Sequence, residues 1–183
     1  MNQSLGLLEL NSIVKGIEAA DRMIKAADIR LVHARPICPG KYVVIIAGDV
    51  GSVTSAIEAG KSTSGAFLVD DLLIPNLSGQ VIRAIAAAED VQPQSAIGAA
   101  EFFTVAAAVS GADTAVKAAD VQLIEVRLGL GIGGKSFFTL TGAISAVEEA
   151  IRAGSAEAKE NGLLLASIVI PATLDKEIWQ YLL

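Results

Sequence analysis

The apolar positions of this chain fall into short runs and helix-spaced stripes. Leu5 to Leu10 is an apolar run of strand length. Ile13, Ile17, Ala20, Ile24 and Ala27 follow at spacings of four, three, four and three, the mark of one helix face. Ile29 to Arg35 predicts a second strand with Ile29, Leu31 and His33 on one of its faces. Tyr42 to Ala47 is continuously apolar, as in a buried strand. Val53, Ala56, Ile57 and Gly60 mark a second helix. Phe67 to Ile74 predicts a fourth strand, stopped by Pro75, and Gly79 to Ala87 a short closing helix.

The same pattern then recurs. At an offset of 92 residues, Gly6 meets Gly98, Glu9 meets Glu101, Asp21 meets Asp113 and Lys25 meets Lys117. Val105, Val109, Ala112, Val116 and Ala119 repeat the first helix stripe at the same spacings. Two extra residues between Arg127 and Gly134 move the offset to 94, where Gly40-Lys41 meet Gly134-Lys135 and Gly48 meets Gly142. A further drift to 96 pairs Pro75 with Pro171 and Ile82 with Ile178. The chain therefore reads as two copies of one domain, 1–90 and 95–183, joined near Glu89 to Ser95. Each copy has the order β-α-β-β-α-β plus a terminal helix, the ferredoxin-like α/β plan.

Composition narrows the function classes. Apolar residues make up 52% of the 183 and charged residues 19%. Mean hydropathy is +0.55, too apolar for a disordered chain. The longest run without a charge is Asn161 to Leu174, shorter than the roughly 20 residues a spanning helix needs. No basic stretch leads into an apolar core at the start, so the expectation is a cytoplasmic protein with no membrane association. The excess apolar surface then calls for a partner subunit. Net charge is −6 and aromatics are 4%, which argues against binding a phosphate backbone or stacking on bases. RNA-binding versions of the fold need both features. Tandem ACT-like domains binding a small regulatory molecule remain an alternative, because the fold alone decides nothing.

The residues carry a family resemblance. Leu5-Gly6-Leu7-Leu8-Glu9 leads into a helix bearing Ala20-Asp21-Arg22-Met23-Ile24-Lys25-Ala26-Ala27. Gly40-Lys41, a strand ending in Gly48-Asp49-Val50, and Val53 to Ala59 follow. Ile97-Gly98-Ala99-Ala100-Glu101, Ala112-Asp113 through Ala119, Gly133-Gly134-Lys135 and Gly142 to Ala153 repeat it. This resembles the BMC domain of bacterial microcompartment shell proteins, twice and unpermuted. The resemblance implies a homotrimer of pseudo-hexagonal outline that tiles with other shell proteins. It implies a structural role rather than an enzymatic one, in the microcompartment shell.

Pro36-Ile37-Cys38-Pro39-Gly40-Lys41 sharpens the resemblance toward a propanediol-utilisation subtype. There the matching cysteine faces the threefold axis and ligates a 4Fe–4S cluster, which would serve electron transfer or metal-centre delivery toward encapsulated redox enzymes. One cysteine per chain cannot hold a cluster that takes about four ligands, but a threefold axis supplies three thiolates. By the same resemblance Ile37, Cys38, Pro39, Gly40, Gly131, Ile132, Gly133 and Gly134 line the central pore. The glycine-rich loop is a poor phosphate cradle, because Lys135 leads into a strand rather than a helix. Asp21 with Lys25, and Asp113 with Lys117, have i,i+4 spacing suited to ion pairs. The resemblance places them at the edge where shell units meet. Glu9 and Glu101 read as structural acceptors, and Trp179 as a packing anchor. No nucleophile–base pair or convergent acid–base set is visible.

Overall fold

A computed structural model describes residues 3–86, 91 and 95–171. The first repeat runs β1 (Ser4–Leu10), α1 (Ile13–Ala26), β2 (Arg30–Ile37), β3 (Lys41–Gly48), α2 (Val50–Ser64) and β4 (Leu68–Ile74). A single helical turn, Gly65–Phe67, takes the place of the predicted start of the fourth strand. The short α3 (Gly79–Ile85) follows. The second repeat runs β5 (Ala96–Phe102), α4 (Val105–Ala118), β6 (Val121–Arg127), β7 (Ser136–Gly142), α5 (Ile144–Glu160) and β8 (Leu164–Pro171). The sheets are antiparallel, with orders β2-β3-β1-β4 and β6-β7-β5-β8. This is the expected ferredoxin-like connectivity in both copies.

Local chemistry starts the helices where the polar residues fall. Ser12 accepts from the Lys15 amide, Asp49 from the Ser52 amide and Thr104 from the Ala107 amide, each satisfying a donor the helix cannot. In the first unit Leu8, Leu10, Tyr42, Val44 and Ile46 face Ala19, Ala20, Met23, Val53, Ala56 and Ile57. In the second, Phe102 and Phe138 stack with centroids 5.7 Å apart. Here α4 and α5 cross at Gly111 and Gly154, where a Cβ on either glycine would lie 2.5 Å from the other's carbonyl oxygen.

Three expectations change. The α1 stripe is not core: Ile13, Ile17 and Ile24 are 39%, 55% and 48% exposed, and the helix buries Gly16, Ala19, Ala20 and Met23 instead. In the second repeat the matching Val105 and Val109 are 0% exposed. Periodicity identifies an apolar face but not what lies against it.

Leu31 and His33 do not share a face. Leu31 pairs with Ile46 and His33 with Ile45, so a bulge at Val32 breaks the alternation. The same irregularity falls between Leu123 and Glu125.

Third, α3 does not close the first repeat. The chain divides into two compact units, one holding residues up to Leu77 with Gly129–Gly134, the other holding Ser78–Leu128 and the chain from Lys135 on. α3 therefore packs in the second unit, against β6 and α4. The predicted joint near Glu89 to Ser95 lies mostly outside the described residues, as do the terminal helix of the second repeat and Trp179.

The glycine crossing gives a paired prediction. Gly51 is exposed in α2 and a Cβ there meets only Asp49 Oδ1 at 3.4 Å. Gly51→Ala is expected to raise stability by roughly 0.5–1 kcal/mol through helix propensity. Gly111→Ala gains the same propensity but meets backbone, and should lower stability by about 1–3 kcal/mol. Urea denaturation of the two variants checks the difference in sign.

Candidate functional site

The turn between β2 and β3 carries the candidate ligand. Ile37 is buried, Cys38 is half-buried with a free thiol, and Pro39 and Gly40 are exposed. The Gly40 amide closes the turn by donating to the Ile37 carbonyl at 3.1 Å, with Gly40 at φ 87°. The Cys38–Pro39 peptide is cis.

A second loop meets this turn within the first unit. The Cys38 amide donates to the Gly129 carbonyl at 3.2 Å. Gly129, Gly131, Gly133 and Gly134 all have positive φ, which other L-residues rarely adopt. At Gly134 a Cβ would lie 2.3 Å from the Cys38 carbonyl oxygen and 2.7 Å from Pro39 Cδ. The sequence therefore needs glycine here to let the two strands of backbone touch. Around Gly131 and Gly133 a Cβ would meet nothing within 4 Å, and Ile132 between them is half-buried. All eight residues expected at the pore thus fall on two converging loops.

The donor set decides what one chain could hold. Among the described residues no group of three or more His, Cys, Asp or Glu side chains is placed to bind a metal. Cys38 offers one thiolate on an accessible turn, which fits one ligand of a site shared between copies and does not fit a site within one chain.

The two Asp–Lys pairs form but are unequal. Lys25 Nζ lies 2.7 Å from Asp21, both exposed. Lys117 also pairs with Asp113, but Asp113 is 4% exposed and accepts from the Ser78 amide at 2.8 Å. It anchors the start of α3. Gln80, which the sequence does not single out, supports the same helix. Its amide donates to the Val121 carbonyl at 3.2 Å and accepts from the Leu123 amide at 3.0 Å. The side chain thus behaves as an extra peptide along the β6 edge. The only sequence signal for this was the repeated Asp position.

The repeated glutamates are ion-paired. Buried Glu9 takes Lys41 Nζ at 2.7 Å, and Glu101 takes Lys135 at 2.5 Å. Lys61 neutralises Asp71 at 2.8 Å. Burial first, and the Arg35 guanidinium second, hold the His33 imidazole below its usual range. Hydrogen bonds with Ser52 lower the Asp49 carboxyl at its cap, and those from Arg152 lower Glu149. On the face of the second sheet away from its helices lies a recess of about 300 Å³, lined by Ala99, Glu101, Phe137, Thr139, Ala166 and Ile168. The buried Thr139 hydroxyl has no hydrogen-bond partner there. These placements are structural ion pairs, caps and an apolar recess.

No helix is long and apolar enough to cross a membrane among the described residues. Comparison with known proteins gives two matches to the BMC domain, over residues 4–77 and 96–173. The chain is 42% identical over 171 residues to the bacterial microcompartment shell protein PduT of Citrobacter freundii, covering 93% of each. It is 40% identical over 62 residues to the shell protein PduA of the same organism, covering 34% of this chain and 67% of that one. The crystal structure of a microcompartment protein from Desulfitobacterium hafniense DCB matches with a TM-score of 0.91 at 45% identity, over 99% of both chains. A fused permuted hexameric shell protein of the RMM microcompartment shares the fold at TM-score 0.66 and 17% identity, over 86% of this chain and 84% of that one. These matches leave the ACT-like alternative without support. The chain belongs to the BMC-domain family of bacterial microcompartment shell proteins and carries two BMC domains in tandem.

Proposed function

We propose that the chain forms a homotrimeric, pseudo-hexagonal tile of a microcompartment shell, with Cys38 from three copies holding a 4Fe–4S cluster at the central axis. The observation that carries the cluster reading is the half-buried Cys38, its thiol free of any disulfide, on a turn buttressed by a close-packed glycine loop. Similarity to PduT over nearly the whole chain supports the tile.

On this reading Ile37, Cys38, Pro39 and Gly40 face the axis with Gly131, Ile132, Gly133 and Gly134. Cys38 from each of three copies would hold the group, and because a cluster of this kind takes about four ligands a further one would come from outside the chain. The bound cluster supplies one-electron chemistry at the shell, serving transfer or metal-centre delivery to encapsulated redox enzymes. The protein's part is to hold three sulfurs at fixed separation. The glycines contribute by keeping Cβ atoms out of the space beside Cys38. The tile catalyses no reaction of its own. It meets neighbouring shell proteins through Lys25 and Lys117, oriented by Asp21 and Asp113.

Anaerobically purified protein is expected to carry about four irons per three chains, with an EPR signal on reduction. Cys38→Ser should lose the iron and keep the oligomer. An assembled wild-type protein that stays iron-free after reconstitution overturns the cluster. Replacing Lys25 and Lys117 with Ala is expected to leave the oligomer intact in sedimentation and abolish two-dimensional sheets in electron microscopy. The exposed Lys25–Asp21 pair contributes less than about 1 kcal/mol within the chain, and buried Asp113 keeps the Ser78 amide as a donor when Lys117 is removed, so the fold should survive. Sheets of unchanged order would refute the edge role.

A further inference from the structure

The turn that carries Cys38 is held at its base by a buried charge pair. Cys38, Pro39 and Gly40 lie between Ile37 and Lys41, which face each other in the register of β2 and β3. Ile37 is buried and fixes the β2 side. On the β3 side the backbone ladder to the central strand β1 ends at Leu10 and Tyr42, one residue short of Lys41. The Lys41 side chain carries the tie past that point. Its Nζ lies 2.7 Å from Glu9 Oε1, with the lysine side chain 17% exposed and that of the glutamate 0%. Asp70 of β4 stands directly opposite Glu9, so a second carboxylate lies on the same face beside the acceptor.

The second repeat has the pair without the burial. Lys135 follows the Gly129–Gly134 loop as Lys41 follows the Cys38 turn, and it also lies one residue beyond its ladder, which ends at Phe102 and Ser136. Its partner is Glu101, but the lysine side chain is 40% exposed and that of the glutamate 33%, and Ala166 stands opposite Glu101 where the first sheet has Asp70. A partly exposed pair can exchange its partner for water at little cost, whereas a buried carboxylate that loses its cation is left uncompensated. The firm tie thus falls beneath the loop with the thiol, and the loose one beneath the loop without it.

We infer that Lys41 and Glu9 are positioning residues for Cys38, fixing the base of the turn so that the thiol is presented from one place. Any consequence for a bound cluster rests on the function proposed above, while the hold on the turn does not.

Two amides report that hold: Cys38 donates to the Gly129 carbonyl and Gly40 to that of Ile37. Lys41→Met keeps the aliphatic stem and removes the tie. In the full-length protein it is expected to speed hydrogen exchange of these two amides by about tenfold, with the Leu7 and Leu8 amides of β1 unchanged, which a general loss of stability would not allow. Iodoacetamide should alkylate the half-buried Cys38 faster by a similar factor, and Lys41→Arg should restore both rates. Should the single variant not fold, Glu9→Gln with Lys41→Met leaves no uncompensated carboxylate at position 9 and should show the same loosened turn. Lys135→Met breaks only the exposed pair and should keep both rates within about threefold of wild type. In iron-loaded protein, Lys41→Met should broaden the EPR signal and Lys41→Arg recover it. Turn amides and a thiol indifferent to the loss of Lys41 overturn the proposal. So do equal loosening by Lys135→Met, an arginine that fails to rescue, or an EPR signal unaltered above a loosened turn. An iron-free wild type sinks the cluster alone, because exchange and alkylation need no metal.

Discussion

An edge strand must find partners for its outward amides and carbonyls, and much of this molecule follows from how β6 finds them. The amide of Gln80 takes one carbonyl and one amide of β6, as an added strand would. To deliver it, α3 must leave the repeat that precedes it and join the next. Asp113 then becomes buried beneath the helix start, and the stripe of α4 becomes core. A few side-chain hydrogen bonds thus decide which repeat owns a helix. Each is worth about 1 kcal/mol, but together they orient α3, whose Val81 and Ala84 are fully buried.

The same logic explains why the repeats have diverged where they have. Both copies keep the glycines that allow close contact at the sheet, since a Cβ on Gly6 or Gly98 would strike the helix side chains above it. Both keep the strand-end glutamate with its lysine. They differ in the loops and in α1 and α4, whose matching stripes are exposed in one copy and buried in the other. The Gly129–Gly134 loop is two residues longer than its counterpart and packs on the first unit at Cys38. A side chain at Gly134 would collide with that turn, so the second copy has glycine there and the first can carry the thiol.

The repeat and the ferredoxin-like order were legible in the sequence because they depend on local patterns and on self-similarity. The caps at Ser12, Asp49 and Thr104 act over only three residues, yet the apolar pattern alone did not single them out. The fate of the α1 stripe was not legible. Ile13, Ile17 and Ile24 are as regular as Val105, Val109 and Val116, and nothing local separates a stripe that packs in a core from one left exposed. The bulge at Val32 was hidden for a similar reason, since an extra residue in one strand shows only against the register of the next. Cys38 was legible as the residue to watch, whereas its contact with Gly129 requires two loops some ninety positions apart in sequence to meet.

Symmetry changes what a single residue can mean. Within one chain the described residues hold no metal-ligand cluster, and the exposed α1 stripe is a liability in water. Both statements concern a fragment of an assembly if copies associate about an axis as proposed. Repetition about an axis turns one thiolate into several at fixed spacing. The asymmetry between the repeats is what makes this economical. A single-domain subunit repeated six times would place six identical loops at its axis. The tandem chain can place a cysteine on one loop and a glycine hairpin on the next, so that the loop without the thiol supports the loop that carries it.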